Sequence, residues 1–410
     1  MDTKDKEKNN DSYSHADKNH KNEDGKVRET SETKAATRSR VLIFVLVTAL
    51  TCTALLFALL YNSDDNTNAA GVSDGRGGAI RAADSGRAEA IVSLAYDAGE
   101  DTEFCLYRSY IIKCTRDSFY IMNKRGEELF KKNIEFQKPS LTCSGNFLLA
   151  YDIGGRTAFV IEDRAVKWEE KLANNIVSAS INKDGYMAIV TEASGYRNSV
   201  SIMAPIGRKL FDRVVADDYV ISAQISDDNK QIMLNRIKTS GISVRSGLEF
   251  IDIRSEPFAA IESEEEKIFL TARYLADNSF SVVTESGFKL YHDSKEIAAQ
   301  ESFDAVFALC EFPAGNCAVA AQQDGEFIVF GFGAKKQKSI ILKTEAPILN
   351  MSSTGDNLVI NTGQQVIIVG SNGKLKNSVY SEAEILYTGI YDKTDILVVT
   401  ERMAELYKIG

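Results

Sequence analysis

Histidine is nearly absent: of three in 410 residues, only His292 lies beyond position 20. Imidazole-based catalysis would have to rest on that one residue, in the segment Leu290-Tyr291-His292-Asp293 near an expected strand end. Cysteine, six in all, never occurs as Cys-x-x-Cys, so a zinc site of the usual spacing is unsupported. No glycine-rich phosphate loop follows a strand into a helix. Basic charge is short too: 48 Lys and Arg against 58 Asp and Glu give a formal net charge of -10, whereas a phosphate backbone demands a basic surface. Nucleic acid is excluded as a partner on that ground. Proline numbers only five, and beyond residue 90 the chain is rich in Val, Ile, Phe and Tyr, the composition of a packed β domain.

One long uncharged run is present. Residues 41–61 carry no charge, and as a helix they would cover roughly 31 Å, enough to cross a bilayer. The run is too long, and starts too late, for a cleaved signal peptide. Lys34, Arg38 and Arg40 precede it while Asp64 and Asp65 follow, which predicts a single-pass protein of the cell membrane with a cytoplasmic N-terminus and an extracytoplasmic C-terminal domain. Residues 1–40 hold almost no large aliphatic side chains and read as a disordered cytoplasmic tail. Residues 62–88, dominated by Asn, Asp, Ser and Gly, read as a flexible linker. Cys52 lies within the apolar run behind a poor lipobox, Ala49-Leu50-Thr51, and reads as a membrane-buried thiol.

Residues 89–410 settle into a rhythm. An apolar strand, a short turn rich in Asp, Asn and Gly, and a second apolar strand recur from positions 140, 178, 222, 271, 307, 349 and 387, at spacings of 38, 44, 49, 36, 42 and 38. No long amphipathic helix intervenes. Units of about 40 to 50 residues with four short strands are the mark of a β-propeller. Residues 103–133 make an eighth, shorter unit. The expected fold is all-β: a propeller of eight blades, with seven as the alternative, preceded by one transmembrane α-helix. The last unit, 384–409, supplies only three strands, so its fourth is expected from residues 88–97, closing the ring and removing exposed sheet edges.

Residues 106–126 and 140–155, with their paired strands and the turns Asn123-Lys124-Arg125-Gly126 and Ser144-Gly145-Asn146, resemble the opening blades of a clostridial family of membrane-anchored β-propeller proteins catalogued as a domain of unknown function. The resemblance runs from about residue 90 to the C-terminus. It implies an anaerobic Gram-positive source and brings no substrate, cofactor or catalytic motif. The blades are also generically similar to those of quinoprotein and YVTN-like propellers, an analogy of fold only.

Individual residues add little chemistry. Cys310 and Cys317 flank Pro313-Ala314, and a hairpin centred there would set them opposite each other as a candidate disulfide. Cys105 and Cys114 are similarly symmetric about Ser109-Tyr110. An odd number of cysteines beyond the apolar run, together with the anaerobic source, argues instead for free buried thiols. The turns Asn182-Lys183-Asp184-Gly185 and Ser226-Asp227-Asp228-Asn229 lack the ligand spacing of a calcium loop and read as hairpin turns. Trp168 reads as a packing residue rather than part of a quinone site. No catalytic, cofactor-binding or metal residue is assigned. The sequence therefore points to a non-enzymatic, membrane-tethered scaffold that binds a protein or another cell-envelope component. The alternative is a cell-envelope enzyme using carboxylates in the propeller channel. Carboxylates clustered in a deep central pocket would favour the enzyme, and an apolar patch on one face would favour the scaffold.

Overall fold

Runs such as Phe147–Asp152 and Met187–Glu192 are apolar at consecutive positions. A strand tolerates that pattern only when both of its faces are covered. The computed structural model covers them by stacking sheets face to face. It describes residues 72–74, 79–80, 90–96, 101–239, 243–264, 267–275, 279–312, 316–332, 338–355, 357–370, 372–392 and 394–408. By contacts the chain divides into Met1–Asn68, which lies outside the described residues, and Ala69–Gly410. The tail 1–40, the apolar run 41–61 and most of the linker 62–88 thus lie outside them. Among the described residues no helix is long and apolar enough to cross a membrane.

Eight antiparallel sheets follow one another along the chain, making an eight-bladed β-propeller. Seven blades take four consecutive strands each, from residues 103–133, 139–171, 176–215, 218–262, 269–300, 305–344 and 350–380. Within each, the strands are called a to d from the axis outward. The eighth blade takes strands a to c from residues 385–408, and its d strand is Val92–Ala95, paired antiparallel with Met403–Lys408. The ring is closed by its own N-terminal strand, as the strand count predicts. Ser93 Oγ donates to Glu405, Ile91 N donates to Leu406 O at 2.7 Å and Tyr96 N to Arg402 O at 3.0 Å, extending the closure beyond the strand. Two short strands, Val72–Asp74 and Ala79–Ile80, pair with each other and add to the outer edge of blade 6.

The cores lie between blades, one at each interface. Tyr107, Phe119 and Phe136 of blade 1 and its exit meet Leu148 and Phe159 of blade 2. Leu149 and Val160, the next residues along the same two strands, face the opposite way, into blade 3. The same alternation continues round the ring to Phe104 and Ile111, which meet Tyr391, Leu397 and Leu406 across the closing interface. Strands b and c therefore read as continuous apolar runs because each separates two cores. In the seven blades built from consecutive strands the c–d pairing carries a register shift, for example between Val160 and Ile161 and between Ile202 and Met203, which adds local twist to the outer edge.

Turns tie neighbouring blades. Asn182 Oδ1 accepts from the amides of Asp184 and Tyr186, while its Nδ2 donates to Ser226 O at 3.1 Å and Asn229 Oδ1 at 2.6 Å in blade 4. The acidic turn is thus a side-chain-built turn, the local bonding for which Asn and Asp are chosen. Gly145, at φ 56°, is required twice over: a Cβ there would stand 2.6 Å from the carbonyl oxygen of Lys183.

Candidate functional site

Strand a of every blade runs in the same direction, so its first residues surround one mouth of the channel and its last residues the other. At the first mouth the pairing of strand a with strand b repeats an irregularity. Register shifts fall between Ile176 and Ser178, Val220 and Ser222, Phe269 and Thr271, Val306 and Ala308, and Ile385 and Tyr387. Each inserts one extra residue, a β-bulge that re-aims a side chain. The inserted residues are Val177, Ile221, Leu270, Phe307 and Leu386. In blade 7 Leu349 holds the matching place, its amide donating to Asn361 O at 2.8 Å beside the Asn350–Asn361 pair.

All five inserted residues and Leu349 are apolar, and none is fully buried. Leu270, Phe307, Leu349 and Leu386 are 44, 38, 45 and 52% exposed, and Val177 and Ile221 are half-buried. They form a collar at one mouth, spanning blades 3 to 8. Val177 leans on the core between blades 3 and 4 and Phe307 on the ring of Phe327 at 5.6 Å, yet a series of part-exposed apolar side chains at one recurring place is unlike the scattered single exposures of an ordinary surface. The connections from strand d to the next strand a border the same mouth. Among the described residues they carry nine carboxylates, including Asp101, Asp217, Asp304, Glu345 and Glu384, against two ammonium groups, Lys138 and Lys267. The collar sits in an acidic rim.

Carboxylates are few along the inner strands themselves: Glu103, Asp218 and Glu311. Asp218 is engaged by Arg236 at 3.0 Å. Burial pushes the Glu103 carboxyl up, against the opposing pull of Lys138. Small side chains predominate elsewhere and join adjacent inner strands. Ser180 Oγ donates to Ala223 O at 2.7 Å, Gln224 Nε2 to Ala272 O at 3.0 Å, and Ser353 Oγ to Glu311 O. Between blades 1 and 2 the contact is sulfur on sulfur, with Cys105 Sγ and Cys143 Sγ 3.3 Å apart.

The candidate pair Cys310 and Cys317 is not bonded. Cys310 pairs in register with Ala318, and Glu311 with Cys317, so the hairpin is centred on Ala314, half a residue beyond the expected centre. That shift places the two thiols on opposite faces of blade 6, Cys310 against blade 7 and Cys317 in the core with blade 5. Both are free, as are Cys105 and Cys114, which are also out of step because Cys105 lies opposite Ile112. Burial pushes Cys114, Cys310 and Cys317 up to about 12. The Cys105–Cys143 contact went unnoticed, although its signal was legible: the two lie 38 residues apart, the length of one repeat.

His292 does meet a serine and an aspartate. Its Nδ1 lies 3.1 Å from Ser279 Oγ, and its Nε2 lies 3.4 Å from Asp293 Oδ2. The residue types match a nucleophile, base and orienter, but Ser279 is only 5% exposed and is the cross-strand partner of His292 inside blade 5. A hydroxyl so placed is not presented to a substrate, and the trio serves to fasten the end of a hairpin. Trp168 packs beside the core of blades 2 and 3 and against Gly207, where a Cβ would clash with the indole. Among the described residues no three His, Cys, Asp or Glu side chains gather as a metal site.

The profile of a family described as a family of unknown function, DUF5711, matches residues 87–409. The chain belongs to that family. This member is an eight-bladed propeller closed by Val92–Ala95. A search of the curated proteins returns no match. Among solved structures the chain is similar to the β-propeller domain of Cps50 (Swd1) from Myceliophteria thermophila, at 11% identity and TM-score 0.48, covering 78% of this chain and 99% of that one. It is also similar to hydrazine synthase from Kuenenia stuttgartiensis, at 12% identity and TM-score 0.47, covering 65% and 94%. A third is BBS1N, crystallised in complex with ARL6DN, at 14% identity and TM-score 0.42, covering 64% and 87%.

Proposed function

We propose that this member of DUF5711 is a non-enzymatic scaffold, tethered by residues 41–61 to the outer side of the cytoplasmic membrane, and that it binds a protein partner at the collar. The observation that carries the reading is the apolar series Val177, Ile221, Leu270, Phe307 and Leu386, each inserted at a bulge, with Leu349 at the matching place in blade 7. Exposed apolar surface rimmed by charge is the anatomy of a binding site, with a water-excluding centre and a polar border that selects the partner. Because the rim is acidic, the partner is a protein segment presenting an apolar side chain flanked by Lys or Arg. The charge asymmetry around the apolar run supports the orientation, and supports a partner in the cell envelope.

The test uses the full-length protein in its membrane, with a photo-crosslinking residue placed at Phe307 or Leu386, and, as a control, at Phe258 on an outer strand. One partner band is expected from both collar positions and not from Phe258. Replacing Leu270 and Leu386 together by Asp should reduce its yield at least tenfold, with the protein level unchanged. Equal crosslinking from Phe258, or a partner that still binds the double variant, would overturn the collar as the site. A maleimide reagent that cannot cross membranes, applied to intact cells, tests the orientation by whether it reaches exposed Cys143.

A further inference from the structure

The inner strands of adjacent blades are joined in blades 3 to 5 and 6 to 7 by a hydroxyl or an amide bonded to a backbone carbonyl. Cys143 occupies the same place in blade 2 as Ser180 in blade 3, Gln224 in blade 4 and Ser353 in blade 7, each being the next-to-last residue of strand a. Its partner is the sulfur of Cys105, 3.3 Å away on strand a of blade 1. At that separation the two sulfurs stand inside ordinary non-bonded contact, about 1.3 Å longer than a disulfide bond. Cys143 is exposed and Cys105 half-buried, so one member of the pair is open to a reagent and the other waits beneath it.

We propose that Cys105 and Cys143 are a disulfide-forming pair that staples blade 1 to blade 2 when the protein meets a disulfide-donating oxidant. The Cys143 sulfur attacks the donor disulfide and forms a mixed disulfide, expelling one donor thiol. The Cys105 sulfur then attacks the Cys143 sulfur and expels the second. Two thiol protons and two electrons leave the protein, the donor disulfide is reduced to two thiols, and one S–S bond replaces another. Hydrogen bonding to Cys143, followed by burial, pushes the Cys105 thiol up, and the exposed Cys143 is the sulfur an oxidant reaches first. The bond closes a loop of 38 residues and constrains the unfolded chain accordingly. It fixes the interface between blades 1 and 2, the next one along from the closing interface between blades 8 and 1. This inference stands apart from the collar and does not depend on a partner.

The full-length protein is exposed to oxidised glutathione under native conditions, free thiols are blocked, and the unreduced digest is read by mass spectrometry. A peptide linking Cys105 to Cys143, lighter by two hydrogens, is expected, with Cys114, Cys310 and Cys317 recovered as blocked thiols. The melting temperature should rise by several degrees and return on adding dithiothreitol, and neither change should occur in Cys143→Ser. Glutathione retained on Cys143 with Cys105 still blocked as a thiol would overturn the proposal. So would a linked peptide joining Cys105 to Cys114.

Discussion

Blades 1 and 2 part company with the six that follow at the start of strand a. In blades 3 to 6 and 8 an extra apolar residue enters there, and in blade 7 Leu349 stands at the matching place just before an unshifted ladder; in blades 1 and 2 the pairing also runs without a register shift, from Glu103–Cys114 and from Pro139–Asp152. The reason in blade 2 is visible. The buried Asp152 carboxylate accepts the amides of Gln137 and Lys138 at 2.7 and 2.8 Å and holds the incoming chain straight onto Pro139. Where the bulges stop, the inner strands also change their stitch, from hydroxyl on carbonyl to thiol on thiol. The repeat is therefore uniform in its cores and divided at its inner edge: blades 3 to 8 set an apolar side chain there, and blades 1 and 2 meet through a pair of thiols instead.

An alkaline titration weighs both regions at once and has the largest expected effect. Burial pushes Cys114 of blade 1 and Cys310 and Cys317 of blade 6 up to about 12, whereas a free thiol loses its proton near pH 8.5. Between those values the unfolded chain binds fewer protons than the folded protein, so stability falls as pH rises, by about 1.4 kcal/mol per pH unit for each thiol. Urea midpoints measured from pH 8.5 upward should show that decline. Below about pH 10, before tyrosines ionise, Cys114→Ala should remove about a quarter of the slope and the Cys310→Ala, Cys317→Ala double variant about half, the rest belonging to Cys105, whose thiol is also pushed up. An unchanged slope in Cys114→Ala would mean that the interface between blades 1 and 2 admits a thiolate and is not the sealed core described.

Core truncation comes next. Phe159 is fully buried between blades 1 and 2, edge-on to Phe119 at 5.2 Å, and Phe250 is fully buried between blades 4 and 5, at 5.1 Å from Phe280. Each replaced by Ala should cost about 3–5 kcal/mol in denaturant unfolding, since a phenyl group is removed and the walls close only in part. Equal losses confine the difference between the regions to the inner strands. A much smaller loss for Phe159, or a separate first transition, would show that blades 1 and 2 open on their own.

The cores and the closure were legible because they rest on what a strand buries. Runs such as Met187-Ala188-Ile189-Val190 are apolar on both faces, and that pattern has one reading once the repeats are seen. The register at Cys310 was not legible, because the Phe312–Asn316 pairing leaves an odd number of residues in the loop, whereas a centre between Pro313 and Ala314 takes an even one. Hydropathy cannot distinguish those lengths, yet a step of one residue sends each side chain to the other face. The collar was hidden for a related reason. Val177 and Leu386 look like ordinary members of an apolar strand, and only the pairing partner across the ladder reveals that they are inserted. Their spacings of 44, 49, 37, 42 and 37 from Val177 to Leu386 follow the repeat so closely that the eye files them with the core.

The smallest expected effect is the one that separates the two readings of those residues. If Leu270 and Leu386 were core members, replacing either by Asp would bury a charge and cost several kcal/mol. As inserted residues standing 44 and 52% exposed, they should instead leave stability within about 0.5 kcal/mol, the usual range for a surface change. Val398 in blade 8, nearly fully buried between blades 7 and 8, is the internal standard, and Val398→Asp should unfold the protein outright. Urea midpoints of Leu270→Asp and Leu386→Asp matching the parent would establish that these side chains do nothing for the fold. An apolar residue that contributes nothing to folding, at the same place in one blade after another, then has its reason outside the chain.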